Sequence, residues 1–121
     1  MGRRKSNKRA FTVTVEGRPK PKGRPCLGRG GRVFTPKAII EFENHIRGTY
    51  LHASGPLYED PVHVDIVYTR AETEITITPM GEHKTALVAD VDNLIKATLD
   101  GLQGAAFMND RIVHSVTAVK Q

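Results

Sequence analysis

Apolar and polar residues alternate along two segments of the chain, 11–16 and 62–68, and this alternation predicts two β-strands. Because side chains alternate between the two faces of a strand, all apolar side chains of such a segment lie on one face, as in a strand that is buried on one side. A briefer alternation spans 74–78, and residues 79–81 can turn the chain back through 84–88 as a hairpin. The β-rich segment 112–119 predicts a final strand.

Two other segments have the three- and four-residue spacing of apolar positions that predicts amphipathic helices. The first is expected to have Thr35 as its cap and Pro36 at its first position, and to end near Gly48 or Tyr50. Its apolar face consists of Ile39, Phe42 and Ile46. The second begins at 92 and ends near the glycines at 101 and 104. Its pattern is formed by Leu94, Ile95, Thr98, Leu99 and Leu102.

The order of these elements predicts an α+β fold that approaches α/β. We expect a small mixed sheet with two helices packed on one face, in a single compact domain. A chain of 121 residues is long enough to bury one core. Residues 1–9 are predicted to form a flexible basic arm, and residues 10–121 to form the folded domain.

The net charge of +5 is unevenly distributed. Residues 1–37 contain twelve Lys or Arg and one acid, whereas the rest of the chain contains six basic and twelve acidic residues. Because Lys and Arg displace counterions from phosphates, the basic first third predicts a polyanionic partner. For residues 1–9 alone, a solvated tail that aids solubility is an equal alternative.

The segment 17–36 is predicted to be an ordered basic loop. Its glycines let the backbone approach a phosphate closely, and its prolines stiffen the chain and exclude a regular helix or central strand. The basic side chains expected to contact the polyanion are Lys20, Lys22, Arg24, Arg29, Arg32 and Lys37.

The sequence argues against several classes of protein. The apolar runs are far shorter than the roughly 18 residues of a membrane span, and no signal-peptide core follows the basic start. Cys26 is the only cysteine, so an intrachain disulfide or a multi-cysteine zinc site cannot form. No Gly-Lys-Ser/Thr motif for a nucleotide phosphate occurs. We expect a cytoplasmic protein with neither a membrane partner nor a nucleotide cofactor.

Three carboxylates and a lysine form the candidate chemical motif: Asp90, Asp92, Lys96 and Asp110. Side chains two residues apart on a helix point about 200° away from each other, so Asp90 and Asp92 can meet only if Asp90 lies in an extended segment before the helix. Lys96 would share a helix face with Asp92. Asp110 can return to the same end of the sheet at the head of the last strand. Such a set suits Mg²⁺, which prefers oxygen ligands and would offset the repulsion of the carboxylates.

A structural interpretation of the same residues is also open. Asp90 can cap the helix, Asp92 can favour its positive N-terminus, and Lys96 can form a surface ion pair. Asp100 lies two turns after Asp92 and is interpreted as a turn or exposed residue.

A known family carries similar motifs. The RusA-type Holliday junction resolvases have a signature that resembles residues 90–104, DVDNLIKATLDGLQG, followed by residues 109–113, NDRIV. Upstream, their basic-proline and aromatic-Thr-Pro segments are similar to residues 21–25, PKGRP, and 30–36, GGRVFTP. The resemblance covers about residues 11–120, which is nearly the whole chain.

The resemblance implies a homodimeric crossover junction endodeoxyribonuclease, typically of phage or prophage origin, that uses Mg²⁺, with Mn²⁺ able to substitute. Such an enzyme nicks two symmetry-related strands of a four-way DNA junction. By the resemblance, Asp90, Asp92 and Asp110 bind the metal and act in catalysis together with Lys96. The basic loop is then the candidate DNA-binding segment.

Two positions depart from the family pattern. Asn109 precedes Asp110 where the family often has two acids, which lessens the negative charge of the site. Ala89 replaces a common proline before the first aspartate.

Two other functions stay open from the sequence. One is a nuclease selective for DNA flaps or replication forks, which would use the same acids on another branched substrate. The other is a non-catalytic DNA-binding protein that uses only the basic residues.

Overall fold

The structure is a computed structural model, and it describes residues 9–22, 26–27, 31, 33–34, 36–82, 84–85 and 87–121. The chain divides into two compact units, Met1–Glu82 and His83–Gln121. The predicted arm lies outside the described residues, except for Arg9. Within the described ranges, no helix combines the length and the apolar character that crossing a membrane requires.

The first unit combines a three-stranded sheet with one long helix. Its elements are β1 (Phe11–Glu16), β2 (Cys26–Leu27), β3 (Val33–Phe34), α1 (Lys37–His52), β4 (Val62–Tyr68) and β5 (Glu72–Pro79). The strands β1, β5 and β4, in that order, form an antiparallel sheet, and β2 pairs with β3 in a separate antiparallel ladder. The predicted α+β class is therefore confirmed.

One face of the three-stranded sheet carries its apolar residues. The register places Val13 of β1 opposite Ile75 of β5, and Ile75 opposite Ile66 of β4. Helix α1 contacts β1. Among the described residues, the buried apolar side chains are Val13, Val15 and Ile39. Full burial of one such side chain stabilises the fold by about 1.5–3 kcal/mol, so the packing of α1 beside β1 holds this unit together.

Thr73 is a polar residue within this apolar face. It lies opposite Val15 in the sheet, its exposed fraction is 2%, and its hydroxyl has no hydrogen-bond partner among the described residues. A buried hydroxyl without a partner costs about 1–3 kcal/mol. Thr73 therefore destabilises the sheet that it helps to fill.

We predict that Thr73→Val raises the free energy of unfolding by about 1 kcal/mol, because valine keeps the shape and removes the unpaired hydroxyl. Thr76→Val is the matched control, since the Thr76 hydroxyl lies 2.9 Å from that of Thr12 and the control loses this hydrogen bond. Urea unfolding of both variants measures the effect. A loss of stability in Thr73→Val as large as in the control would contradict the prediction.

Tyr50 anchors the C-terminal end of α1. Its hydroxyl donates to the carbonyl of Pro56, and its ring meets that of Phe11 edge-on, with centroids 5.4 Å apart. Burial raises the pKa of the Tyr50 phenol, and the nearby Tyr58 raises it further. Ser54, two residues after the last residue of the helix, adopts a left-handed φ of 60°. Ring packing and hydrogen bonding thus fix the turn that leads towards β4.

Gly55 and Gly48 provide a test of this packing. A Cβ on Gly55 would lie 2.3 Å from the Tyr50 ring, whereas a Cβ on Gly48 would meet nothing within 4 Å. We predict that Gly55→Ala lowers the free energy of unfolding by about 1–3 kcal/mol, because it displaces a fixed ring. Gly48→Ala should raise it by about 0.5–1 kcal/mol, through helix propensity. Thermal unfolding of both variants measures the difference, and equal effects would contradict the role of Tyr50.

The strand predictions for the first unit agree with the structure. Strands β1 and β4 have the predicted bounds, and β5 extends the short segment predicted at 74–78. The helix prediction needs correction at both ends. Pro36 caps α1 instead of occupying its first position, and the helix ends at His52, two residues after Tyr50, the later of the two predicted ends. Thr35 lies outside the described residues.

The second unit contains α2 (Val91–Leu102) and a 3-10 helix (Asp110–Ile112). Two predicted strands do not form. Residues 113–121 have no regular secondary structure, and neither do the described residues of the predicted hairpin return, 84–85 and 87–88. The three-stranded sheet is antiparallel and not mixed. A β-rich composition forms a strand only with a partner edge, and the last residues here bond side chain to backbone instead.

Candidate active site

Asp90 lies directly before α2 in an extended conformation, with φ −69° and ψ 142°. Its carbonyl accepts the first helical hydrogen bond, from the amide of Leu94 at 3.2 Å. Its side chain is exposed and makes no capping hydrogen bond. The prediction that Asp90 precedes the helix is confirmed, and the alternative in which its carboxylate caps the helix is not formed.

Asp92 and Lys96 lie one helical turn apart on α2. Asp92 is in the first turn, where the partial positive charge of the helix N-terminus favours a carboxylate. Both side chains are exposed, and the ion pairs among the described residues lie elsewhere, in the first unit. The surface ion pair that the structural interpretation allowed is therefore absent, and both charged groups are accessible to a ligand.

Asp110 begins the 3-10 helix that follows the turn after α2. Gly104, with a left-handed φ of 91°, starts this turn, and its amide donates to the carbonyl of Phe107 at 2.6 Å. Asn109 caps the 3-10 helix by accepting a hydrogen bond from the Arg111 amide at 2.9 Å. Asp110 is therefore at the start of a helical turn, and the prediction that it heads a strand is wrong, because no strand follows.

The three carboxylates have the chemistry of a magnesium site, but the described structure does not gather them. Asp90, Asp92 and Asp110 are all exposed, and none has a capping hydrogen bond or ion pair on its side chain among the described residues. Within the described ranges, no group of three or more His, Cys, Asp or Glu side chains is placed to hold a metal ion. The donor set suits Mg²⁺ in type and charge.

Lys120 is a neighbour of the motif that the sequence did not reveal. Its ammonium donates to the carbonyl of Ala89 at 3.0 Å, directly before Asp90. Beside it, the Thr85 hydroxyl donates to the carbonyl of Gln121 at 3.0 Å. The end of the chain thus holds the extended segment that carries Asp90. A contact between residues 31 apart leaves no local signal in a single sequence.

The described part of the basic loop lies in the first unit. Lys20, Lys22 and Lys37 are exposed, as contact with a polyanion requires. Lys22 pairs with Glu43 at 3.1 Å, and Lys37 lies 3.9 Å from Glu41. The other predicted contact residues lie outside the described residues: Arg24, Arg29 and Arg32.

Comparison with known proteins identifies the family. The family described as endodeoxyribonuclease RusA matches residues 16–121. Searches among curated proteins and among solved structures found no match. Because the match covers most of the chain and includes the whole acid motif, this protein belongs to the RusA endodeoxyribonuclease family. It is thus assigned to a family of nucleases, whose substrate is DNA.

We predict that Lys120→Met slows DNA nicking by about tenfold, because the segment before Asp90 loses a hydrogen bond from a charged donor. Lys120→Arg should keep most of the rate, since arginine retains a donor. Lys84→Met is the matched control, an exposed lysine in the same unit. Single-turnover nicking at saturating protein is the measurement. Wild-type rates for Lys120→Met would show that this contact does not position the site.

Proposed function

We propose that this protein is a Mg²⁺-dependent endonuclease that resolves four-way DNA junctions by paired symmetric nicks. Membership of the RusA family over residues 16–121 is the observation that carries the proposal. The accessible carboxylates at the start of α2 support it, because a nuclease of this kind needs acids that are not used for capping or ion pairing.

Asp90, Asp92 and Asp110 are the proposed ligands of the metal. Lewis-acid activation of water and neutralisation of phosphate charge are the contributions that Mg²⁺ makes when it is bound in such a site. Asp90 contributes from extended backbone and Asp92 from the first helical turn, so their carboxylates are not forced to opposite sides of one helix.

Lys96 is the proposed electrostatic partner of the acids. It lies one turn after Asp92 and is exposed, with no ion pair among the described residues. Negative charge increases on the phosphate as a phosphodiester is hydrolysed, and a lysine ammonium placed beside it stabilises that charge. Lys96 therefore complements the metal ligands and is not expected to replace one of them.

A homodimer completes the proposal. A four-way junction with two-fold symmetry needs two nicks at equivalent positions, and an isologous dimer presents two equivalent sites. Lys20 and Lys22 of the basic loop and Lys37 at the start of α1 would hold DNA phosphates in each copy.

A nuclease selective for flaps or forks is the second candidate. It would use the same acids and the same metal, but it would cut one strand of a branch without a symmetric second nick. A non-catalytic DNA-binding protein is the third candidate, and it is disfavoured by membership of a family of endodeoxyribonucleases.

We predict that Asp90→Asn and Asp92→Asn each reduce junction cleavage in Mg²⁺ by about two to three orders of magnitude, while binding of the junction is retained. Asp100→Asn is the matched control, because Asp100 is an exposed acid on the same helix. Cleavage is measured under single-turnover conditions, and binding is measured in Ca²⁺. Normal cleavage by the Asp90 and Asp92 variants would contradict the catalytic assignment.

A further inference from the structure

A groove on the first unit is lined by both apolar and basic residues. Its volume is about 480 Å³, within the range of small-ligand sites. Its lining includes the apolar face of α1, formed by Ile39, Phe42 and Ile46, and Tyr68 at the end of β4. The rim is the basic segment from Pro19 to Lys22. All of these residues belong to one compact unit.

The apolar side of the groove is partly open to solvent. Ile39 is buried, whereas Phe42 and Ile46 are half-buried. Tyr68 is 62% exposed, although it lies on the apolar face of the sheet, in register with Thr73. An exposed aromatic ring and a half-buried one that line the same groove can accept a flat apolar group.

The charge of the groove favours an anionic ligand. Glu43 lines the groove and pairs with Lys22 at 3.1 Å, so these two charges largely cancel. Lys20 also lines the groove, is exposed, and makes no ion pair among the described residues. One lysine charge therefore remains uncompensated beside an apolar surface. The matching ligand combines a flat apolar part with a single negative charge.

The segment that forms the rim is held in place near its start. The Gly17 amide donates to the carbonyl of Ala71 at 2.7 Å, which fixes the segment to the turn between β4 and β5. The ring nitrogen Nε2 of His45 lies 2.8 Å from the carbonyl oxygen of Glu16, which fixes it to α1. Prolines at 19 and 21 restrict the backbone further on. The groove is therefore largely preformed.

We propose that this groove binds one nucleotide whose base leaves the stack at the branch point of the DNA, with the base against Tyr68 and Phe42 and the phosphate at Lys20. A nucleotide offers both a flat ring face and one phosphate charge, and a base leaves the stack at a lower cost at a branch point, where stacking is interrupted, than inside a linear duplex. This inference rests on the proposed function, because it assigns the recognition of the branch to a surface of the same protein.

The test measures binding of the full-length protein to a four-way junction that carries 2-aminopurine in a base pair at the branch point. Base stacking against an aromatic ring changes the fluorescence of the probe. Tyr68→Ser should weaken binding of branched DNA by about tenfold and abolish the fluorescence change, while binding of linear duplex changes little. Tyr68→Phe should behave as the wild type. Val67→Ser is the matched control, since Val67 is 53% exposed and points to the opposite face of the same strand.

Lys20→Gln tests the phosphate contact separately. It should weaken binding of branched DNA and lower the salt dependence by about one counterion, whereas Arg47→Gln, an exposed change on α1, should have a smaller effect. If Tyr68→Ser folds poorly, Lys20→Gln tests the nucleotide-binding proposal by itself, because Lys20 is exposed. Unchanged affinity and salt dependence in Lys20→Gln would overturn the proposal.

The two proposals can fail independently. If the wild-type protein neither binds nor cuts branched DNA, the proposed function is wrong. If the wild type cuts branched DNA but Tyr68→Ser and Val67→Ser give the same affinity and the same fluorescence, the groove does not bind the nucleotide. That second result would make the groove a candidate surface for protein contacts.

Discussion

The proposed site depends on the extended backbone of Asp90 immediately before α2. If Asp90 were inside the helix, its carboxylate would point about 200° away from that of Asp92, and one ion could not bind both. The structure places Asp90 outside the helix and holds it from both sides. Its own carbonyl accepts from the Leu94 amide, and Lys120 donates to the carbonyl of Ala89. The geometry of two acids is therefore set by where one helix begins.

The departure at Asn109 has a structural explanation. The side chain of Asn109 accepts a hydrogen bond from the Arg111 amide and so starts the 3-10 helix of Asp110. This role needs an oxygen acceptor but no charge, so asparagine performs it without adding a fourth negative charge near the proposed metal ligands. The departure thus leaves the three carboxylates unchanged and avoids a further carboxylate directly beside Asp110.

The sequence predicted what depends on local patterns, and it failed where distant contacts decide. Strands β1 and β4 were predictable, because a sheet buried on one face imposes a period of two. The position of Asp90 followed from helix geometry alone. The end of α1 was predicted to within two residues at Tyr50, and the contacts of Tyr50 that lie beside this end could not be read from the sequence. The hydrogen bond from Lys120 to the Ala89 carbonyl was not predictable either, because it joins residues of the second unit that are 31 apart in the sequence.

In the candidate site, too, local patterns could be predicted and distant contacts could not. The chemical type of its residues could be predicted, and the family assignment agrees with the match over 16–121. The spatial arrangement of the three carboxylates could not be predicted. Asp110 was expected on a strand that does not form, and the described residues do not bring the three carboxylates together. The groove beside Lys20 was also missed, because Tyr68 appeared to be an ordinary strand residue.

The most direct test of junction resolution compares cleavage of a four-way junction, a fork, a flap and a linear duplex by the wild-type protein in Mg²⁺. Each strand is labelled separately, so that every nick is assigned to its strand. A junction-resolving enzyme should make two nicks at symmetry-related positions of the junction and cut the linear duplex little. Single nicks on flaps or forks in preference to the junction, or no Mg²⁺-dependent cleavage at all, would contradict this function.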